Sequence, residues 1–296
     1  EQIHRVPSLD IPDPKKVISV EKLMQYESVR LFTERALSVD ESFRVNNENA
    51  LALASICCQL DGIPLAIELA AARIKIMSIE KIHERLNDRF NLLTGGKRTA
   101  LPRQQTLRAL TEWSYDLLSD QEKLLWKRLS VFSGGWTLEA AEKVCSDDKI
   151  LKQDIIDLLN HLTEKSIIIY QSGKERYRIL ETLKQFGKEK LNETESQESI
   201  QLRHLNYYME FAETAEPELN ESEVQVWLNK LESEQSNFQC AIEWSIKSGY
   251  AELGARLAGA LGSFWNIRWH YSAGYRLLDS ILKNCSGVSR AVFIKV

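Results

Sequence analysis

The sequence contains few of the residues that interrupt regular structure. Only 13 glycines and six prolines occur among its 296 residues, and three of the prolines fall within residues 1–14. Both residue types are disfavoured inside helices. Their scarcity excludes collagen-like and Pro/Gly-rich disordered classes and predicts a mainly helical protein.

Long hydrophobic runs and paired cysteines are also missing. The longest largely apolar stretch, residues 63–72, is interrupted by Glu68, whereas a membrane-spanning helix needs about 20 apolar residues. The five cysteines are an odd number without a C-x-x-C pair, so neither a disulfide framework nor a zinc site is indicated. We therefore expect a cytoplasmic protein with no membrane partner and no metal.

The charge balance does not point to nucleic acid. The net charge is -4, from 38 basic and 42 acidic residues, and residues 188–234 are rich in Asp and Glu, which we interpret as solvated helix faces. The first residues show neither an initiator Met nor the basic-then-apolar order of a signal peptide. We expect the chain to be part of a longer protein.

Apolar residues recur at helical spacing along the first third. They predict one helix over residues 19–37, a second after Asn46 and Asn47, a third that begins at Pro64 and a fourth that begins after Ser78. Gly62 would end the second helix, since glycine accommodates the left-handed conformation. These helices would form a compact unit ending near residue 93, followed by a linker at Gly95 and Gly96.

The middle third predicts a winged helix. Residues 119–122 form a capping box before one helix, and further helices are expected after Thr137 and over residues 155–162. Two β-rich runs, 167–170 and 176–179, then predict a hairpin. A last helix is expected over residues 182–191. The final third alternates small and large apolar residues, which indicates helices of ten to fifteen residues in hairpin repeats similar to tetratricopeptide (TPR) repeats.

Catalytic motifs are absent from the sequence. It contains no phosphate loop, no dinucleotide-binding glycine fingerprint, no H-E-x-x-H helix and no nucleophile elbow. None of the five histidines lies at metal-ligand spacing from another histidine or from a cysteine, which favours structural or surface roles for them. We expect neither catalytic residues nor enzymatic activity for this chain.

The segment from Gly62 to Ala66 is the most informative one. A Gly-x-Pro turn that opens an alanine-rich helix creates a rigid apolar ledge, and such a ledge can meet a flat heterocycle. The alternative is purely structural, because proline is common at the first helical position. The residues alone leave both interpretations open.

The stretch DGIPLAIELAAAR and the following NDRFNLLTGGKRTALPRQQTLRALTEWSYDLLSDQEKLLWKRLSVFSGGWTLEAAEKVC resemble the downstream part of NB-ARC-type STAND ATPases, as found in large bacterial LuxR- and AfsR-like transcriptional regulators with TPR-like repeats. This resemblance implies that Gly62 and Pro64 form the adenine side of an ADP/ATP site. The phosphate loop, the Mg²⁺-binding acid and the arginine sensor would lie in an upstream nucleotide-binding domain. Residues 5–9 resemble the last strand of that domain, and residues 179–181 read Ile-Leu-Glu where plant and animal relatives have Met-His-Asp.

The resemblance also implies a division into four segments. Residues 1–14 would be the tail of the nucleotide-binding domain, 15–93 a helical adenine-side domain, 94–190 the winged helix and 191–296 incomplete TPR-like repeats. The chain would then belong to a nucleotide-dependent switch that controls transcription, with a protein or small-molecule effector on the repeats. The intact protein would bind ADP or ATP with Mg²⁺ as a slow ATPase, whereas the isolated chain would hold no cofactor.

Two other functions stay open at the level of sequence. A winged helix can read DNA, but residues 153–164 contain Asp154, Asp157 and Glu164 and neither Lys nor Arg, so a duplex would repel them. DNA contact would then belong to an output module of the longer protein. The second alternative is a helical-repeat scaffold for protein interactions.

A basic stretch between the helical unit and the winged helix has two readings. Lys97, Arg98, Arg103 and Arg108 have no acid between them. They form either a solvated linker and helix start or a strap that touches nucleotide phosphates.

Overall fold

The chain is mainly α-helical with one small antiparallel sheet, as the sequence predicts. The structure, a computed structural model, describes residues 8–13, 19–60, 62–93, 102–193, 197–219, 223–268 and 277. Among these residues the β-structure is a two-stranded hairpin with one additional bridge.

The first six helices occupy the N-terminal part of the chain. They are α1 Val20–Leu23, α2 Glu27–Val39, α3 Ala50–Gln59, α4 Pro64–Ala71, α5 Ile79–Leu93 and α6 Pro102–Asp116, and a short 3₁₀ helix, Ala72–Lys75, follows α4. The predicted starts at Pro64 and after Ser78 are confirmed.

The remaining elements follow the order predicted for a winged helix and helical hairpins. They are α7 Asp120–Leu129, α8 Leu138–Cys145, α9 Ile155–Glu164, β1 Ile168–Gln171, β2 Arg176–Ile179, α10 Glu181–Asn192, α11 Gln197–Glu218, α12 Val224–Lys247, α13 Ala251–Ala260 and α14 Gly262–Ile267. Thr137 caps α8 by accepting a hydrogen bond from the Ala140 amide at 3.2 Å.

The contacts divide the chain into two compact units. The first contains Glu1–Asp120 and Asn160–Ile167, and the second contains Gln121–Leu159 and Ile168–Val296. The four segments implied by the family resemblance stay a prediction.

The core of the first unit is built around α4. Five of its eight residues are buried, namely Ala66, Ile67, Leu69, Ala70 and Ala71, which confirms the expectation that neighbours approach this helix closely. Residues 160–167 join the same unit through Lys75, whose ammonium lies 2.6 Å from the Glu164 carboxylate, and through Arg35, which donates to Ser166 Oγ.

The single helix predicted over residues 19–37 is wrong. It is two helices, because Tyr26 takes an extended conformation and starts α2 anew. The break allows both Leu23 and Val29 to be buried. It also frees the Ser28 amide from helical hydrogen bonding, so that this amide donates to the Asp10 carbonyl at 3.3 Å.

The predicted start of the second helix also needs correction. The helix begins at Ala50, after Asn49 rather than directly after Asn46 and Asn47. Asn46 and Asn49 accept hydrogen bonds from each other's backbone amides at 3.0 and 2.9 Å, which closes a turn before the helix. The two asparagines therefore form the turn that leads into α3, and the Asn49 side chain, at the N-cap position, makes no capping hydrogen bond.

The hairpin of the second unit has a third partner that the sequence did not reveal. Ile168 pairs with Ile179 and Tyr170 with Tyr177. Trp136 forms an antiparallel bridge to Tyr177, with hydrogen bonds of 2.9 and 2.8 Å in the two directions. The chain before α8 is thereby attached to the outer strand of the wing.

The prediction of helices of ten to fifteen residues in the final third is wrong for the first hairpin. Helix α11 has 22 residues and α12 has 24. Pro217 does not shorten α11, because it lies in its last turn. Most of residues 269–296, including the apolar C-terminal segment, lie outside the described residues.

Within the described part of the chain, no helix combines the length and the apolar character needed to cross a membrane.

Candidate functional site

Gly62 lies in a turn that holds residues 8–13 against the first unit. Its φ of +64° is left-handed, and its amide donates to the Cys57 carbonyl at 3.3 Å. Its own carbonyl accepts the Leu9 amide at 3.0 Å. A second tie comes from the Ser28 hydroxyl, which donates to the Asp10 carbonyl at 2.6 Å. We call residues 8–13 the strap.

The close approach of the strap explains why residue 62 is glycine. A β-carbon on Gly62 would lie 2.2 Å from the Leu9 carbonyl oxygen, far inside van der Waals contact. Residues 8–13 have no regular secondary structure, and residues 5–7 lie outside the described part, so the strand expected over residues 5–9 stays a prediction.

Pro64 occupies the first position of α4 and its side chain is exposed. The two predicted ledge residues therefore share one turn, with Gly62 buried under the strap and the Pro64 ring open to solvent. This arrangement can present a flat apolar surface beside the N-terminus of a helix. It equally fulfils the structural role of proline at a helix start, so the adenine contact stays a prediction.

Only part of the predicted basic stretch lies within the described residues. Lys97, Arg98 and the side chain of Arg103 lie outside the described residues. Arg108 is exposed and forms an ion pair with Glu112 at 3.1 Å, one helical turn away. A phosphate contact of this stretch stays a prediction.

The helix that would read DNA in a winged helix, α9, carries two of the three acids that the sequence placed there, and Asp154 lies in a 3₁₀ turn directly before it. Asp157 is exposed on it, and Glu164 is bound to Lys75. Arg176, one of the basic residues of the hairpin, is turned away from solvent and bound to Glu234. Both features oppose contact with a phosphate backbone.

The second unit contains a buried polar centre that sequence reasoning missed. Arg176 on β2 donates to the Glu234 carboxylate of α12, and Tyr208 on α11 donates to the same carboxylate at 3.0 Å. Asn237 also donates to Glu234 at 2.7 Å, and its other amide hydrogen bond goes to the Gly135 carbonyl at 2.9 Å. These bonds join the wing, the loop before α8 and the first helical hairpin.

Glu234 corrects the interpretation of the acidic segment as solvated faces. Only 5% of its surface is exposed, and it lies on the apolar face of α12 between Leu231 and Phe238. A carboxylate within an apolar stripe was the signal that the sequence offered. The count of charges over the whole segment concealed it.

His204 borders this centre as a buried neutral imidazole. Burial lowers its pKa to about 4 despite a hydrogen bond to Asn237. The Asn237 side-chain oxygen accepts a hydrogen bond from the Ser133 amide at 2.6 Å. The same oxygen also accepts a hydrogen bond from His204 Nε2, which lies 3.4 Å away. The structural role predicted for this histidine is confirmed.

The described residues show no grouping of ligands that could hold a metal ion. Burial raises the pKa of the Cys57 and Cys145 thiols to about 12, so neither is a thiolate at neutral pH. Nucleophilic chemistry at these two positions is therefore unfavourable.

Similar proteins are found over nearly the whole chain. A protein of Mycobacterium tuberculosis, and its counterpart in Mycobacterium bovis, is 37% identical over 282 residues, or 95% of this chain, and is provisionally named an HTH-type transcriptional regulator. An uncharacterized protein of Mycobacterium tuberculosis is 36% identical over 181 residues, which are 60% of this chain and 46% of its own length.

The chain spans 30% of the length of the relatives named as regulators. Their name does not say which part of them carries the HTH element. No protein-family profile and no solved structure matches the chain.

Proposed function

We propose that this chain is the regulatory part of a longer bacterial transcriptional regulator. The observation that carries the proposal is the 37% identity over 95% of the chain to proteins named as such regulators. Because the acidic face of α9 opposes DNA contact, we assign DNA binding to a different module of the longer protein.

Within that regulator, the first unit would supply the adenine side of an ADP/ATP site. The buried Gly62 turn, the strap bound to it and the exposed Pro64 ring support this role. The phosphates and Mg²⁺ would be held by an upstream nucleotide-binding domain, because the sequence of this chain contains no phosphate loop.

The second unit would respond to an effector. A ligand shifts an equilibrium only when it prefers one state, so an effector that binds the helical hairpins better in the open state would favour nucleotide exchange. The two binding events would then be coupled in both directions.

The test is calorimetry with ADP on the full-length gene product and its Pro64→Ala variant. Loss of about 50 Å² of ring contact at ~25 cal/mol per Å² corresponds to about a tenfold weaker affinity. Pro217→Ala, at an exposed proline of α11, is the matched control and should bind ADP as the unaltered protein does.

Circular dichroism should show the same helix content in all three proteins. Equal ADP affinity of the Pro64→Ala variant would return this residue to its structural role and would contradict the proposed site. ADP binding by the isolated chain with the affinity of the full-length protein would contradict the assignment of the phosphate site to an upstream domain.

A further inference from the structure

A cleft opens in the second unit between the wing and the first helical hairpin. Its volume is about 380 Å³, and it is lined from β2, α8 and the residue before it, α11 and α12. Pockets for small organic molecules have about 300–1,000 Å³. The cleft therefore has the size for one small ligand.

Three aromatic side chains form one wall of the cleft. Phe211 is tilted against Trp227 with ring centroids 6.1 Å apart, and it stacks on Tyr207 at 6.4 Å. All three are partly exposed, so their rings meet both the core and the cleft. Burial and the nearby Glu139 raise the pKa of Tyr207 to about 12, so its phenol stays neutral.

Hydrogen bonds and an ion pair join the residues at the base of the cleft. The Arg176 guanidinium is bound to Glu234 and donates to the Ser233 carbonyl at 3.3 Å. Because Arg176 and Glu234 neutralise each other, the base contributes polarity without net charge. It also joins the wing strand to α12, so that a ligand seated here touches both.

The rim carries two cations and two anions that are not paired. Lys143 and Glu139 come from α8, Lys230 from α12 and Glu210 from α11. All four are exposed, and among the described residues none of them forms an ion pair. The Lys230 ammonium lies 4.2 Å from the centroid of the Trp227 ring. The charges at the rim are therefore balanced in number and available to a ligand.

We propose that this cleft binds a small zwitterion with an aromatic ring, of the class of the aromatic α-amino acids. The ring would lie against Phe211 and Trp227, the carboxylate would meet the rim lysines and the ammonium group would meet the rim glutamates. A simple anion or a simple cation would satisfy half of these charges and be repelled by the other half. The inference rests on the proposed function in one respect, since it specifies the effector of the second unit.

A ligand bound in the cleft would strengthen the contact between the wing and the helical hairpin. A ligand that contacts α8, α11 and α12 together binds best when these elements hold their present arrangement. It therefore stabilises the second unit by mass action.

The experiment measures binding of L-phenylalanine to this chain by saturation-transfer NMR and calorimetry, without nucleotide. The comparison compounds are 3-phenylpropanoate, which lacks the ammonium group, 2-phenylethylamine, which lacks the carboxylate, and L-alanine, which lacks the ring. We expect saturable binding of L-phenylalanine and at least about tenfold weaker binding of each comparison compound, or about 1.4 kcal/mol per missing group.

Two exposed rim residues provide variants that leave folding intact. Lys143→Met and Glu210→Gln should each weaken L-phenylalanine binding about twofold to fivefold. Their matched controls are Lys247→Met and Glu252→Gln, at exposed positions of α12 and α13 outside the cleft, which should bind as the unaltered chain does.

Three results would overturn the inference. The first is the absence of saturable L-phenylalanine binding up to about 10 mM, which corresponds to a binding free energy of less than about 3 kcal/mol. The second is that the comparison compounds bind with affinities within threefold of that of L-phenylalanine. The third is that the rim variants bind L-phenylalanine as their controls do. Since the assay contains no nucleotide, its failure would leave the Pro64 test of the proposed function untouched.

Discussion

Replacing Gly62 with alanine should release the strap from the first unit. The added β-carbon would lie 2.2 Å from the Leu9 carbonyl oxygen and 3.1 Å from a methyl carbon of Ile11. The obstacle is backbone, which cannot rotate away as a side-chain tip can. The strap must therefore move, and the Leu9 amide loses its hydrogen bond to the Gly62 carbonyl.

The expected cost has two parts. An alanine at a left-handed φ costs about 1–2 kcal/mol, and the lost Leu9 hydrogen bond costs about 1 kcal/mol. The free energy of unfolding of the first unit should therefore fall by about 2–3 kcal/mol.

Two glycines of the second unit separate these contributions, each through the free energy of unfolding of that unit. Gly249 has a φ of +81° with open space where a β-carbon would stand, and Gly173 has neither a left-handed φ nor a neighbour within 4 Å. Gly249→Ala should cost only the conformational part, about 1–2 kcal/mol. Gly173→Ala should leave stability unchanged or raise it by up to about 1 kcal/mol.

The assay is urea unfolding of the three variants together with hydrogen exchange at the Leu9 amide. In Gly62→Ala this amide should exchange faster, while the two controls keep its protection. If Gly62→Ala unfolds like Gly173→Ala, or if Leu9 remains protected in it, the reasoning about the close approach is refuted.

Four further outcomes are expected. Burial depresses the pKa of His204 to about 4 in the folded protein, so the contribution of this group to the free energy of unfolding should be constant above pH 6.5 and should fall by about 1.4 kcal/mol per pH unit between pH 6.5 and 4. A His204→Gln variant whose free energy of unfolding falls with the same slope would contradict this. Glu234→Gln should lower the free energy of unfolding by about 3 kcal/mol, because it leaves the Arg176 charge buried without its partner. The exposed control Glu252→Gln should change the free energy of unfolding little, and equal changes in the two variants would refute the role of the ion pair. In a gel-shift assay at physiological salt the chain should not distinguish one DNA sequence from competitor DNA, since Asp157 and the other acids of α9 repel phosphates; a specific shift would contradict the assignment of DNA binding to another module. The isolated chain should hydrolyse ATP no faster than a buffer blank, and turnover that survives repurification would disprove this expectation.

Several elements follow from signals that lie within a few residues of each other. Pro64 at a first helical position, Thr137 before α8 and the two β-rich runs around residues 172–175 predicted the elements that the structure contains. These caps and turns are set by hydrogen bonds between near neighbours, so local sequence was sufficient to locate them at these positions.

Other features depend on partners that are distant in the chain. The helix break at Tyr26 coincides with the bonds of Ser28 to Asp10, 18 residues earlier. The bridge between Trp136 and Tyr177 and the pairing of Arg176 with Glu234 span 41 and 58 residues. No local pattern specifies such pairs, since each residue alone also fits an exposed or a loop position.

The Gly62 turn shows how far each source of information reaches. The residues alone indicate that a glycine ends α3 and that a proline begins α4, because both choices depend on backbone conformation at the residue itself. The folded structure was needed to show that the strap crosses Gly62 closely enough to forbid a β-carbon, that Pro64 stays exposed beside it and that Glu234 is buried under the wing. These properties depend on which surfaces meet after folding, and burial is a property of the assembled chain rather than of any segment.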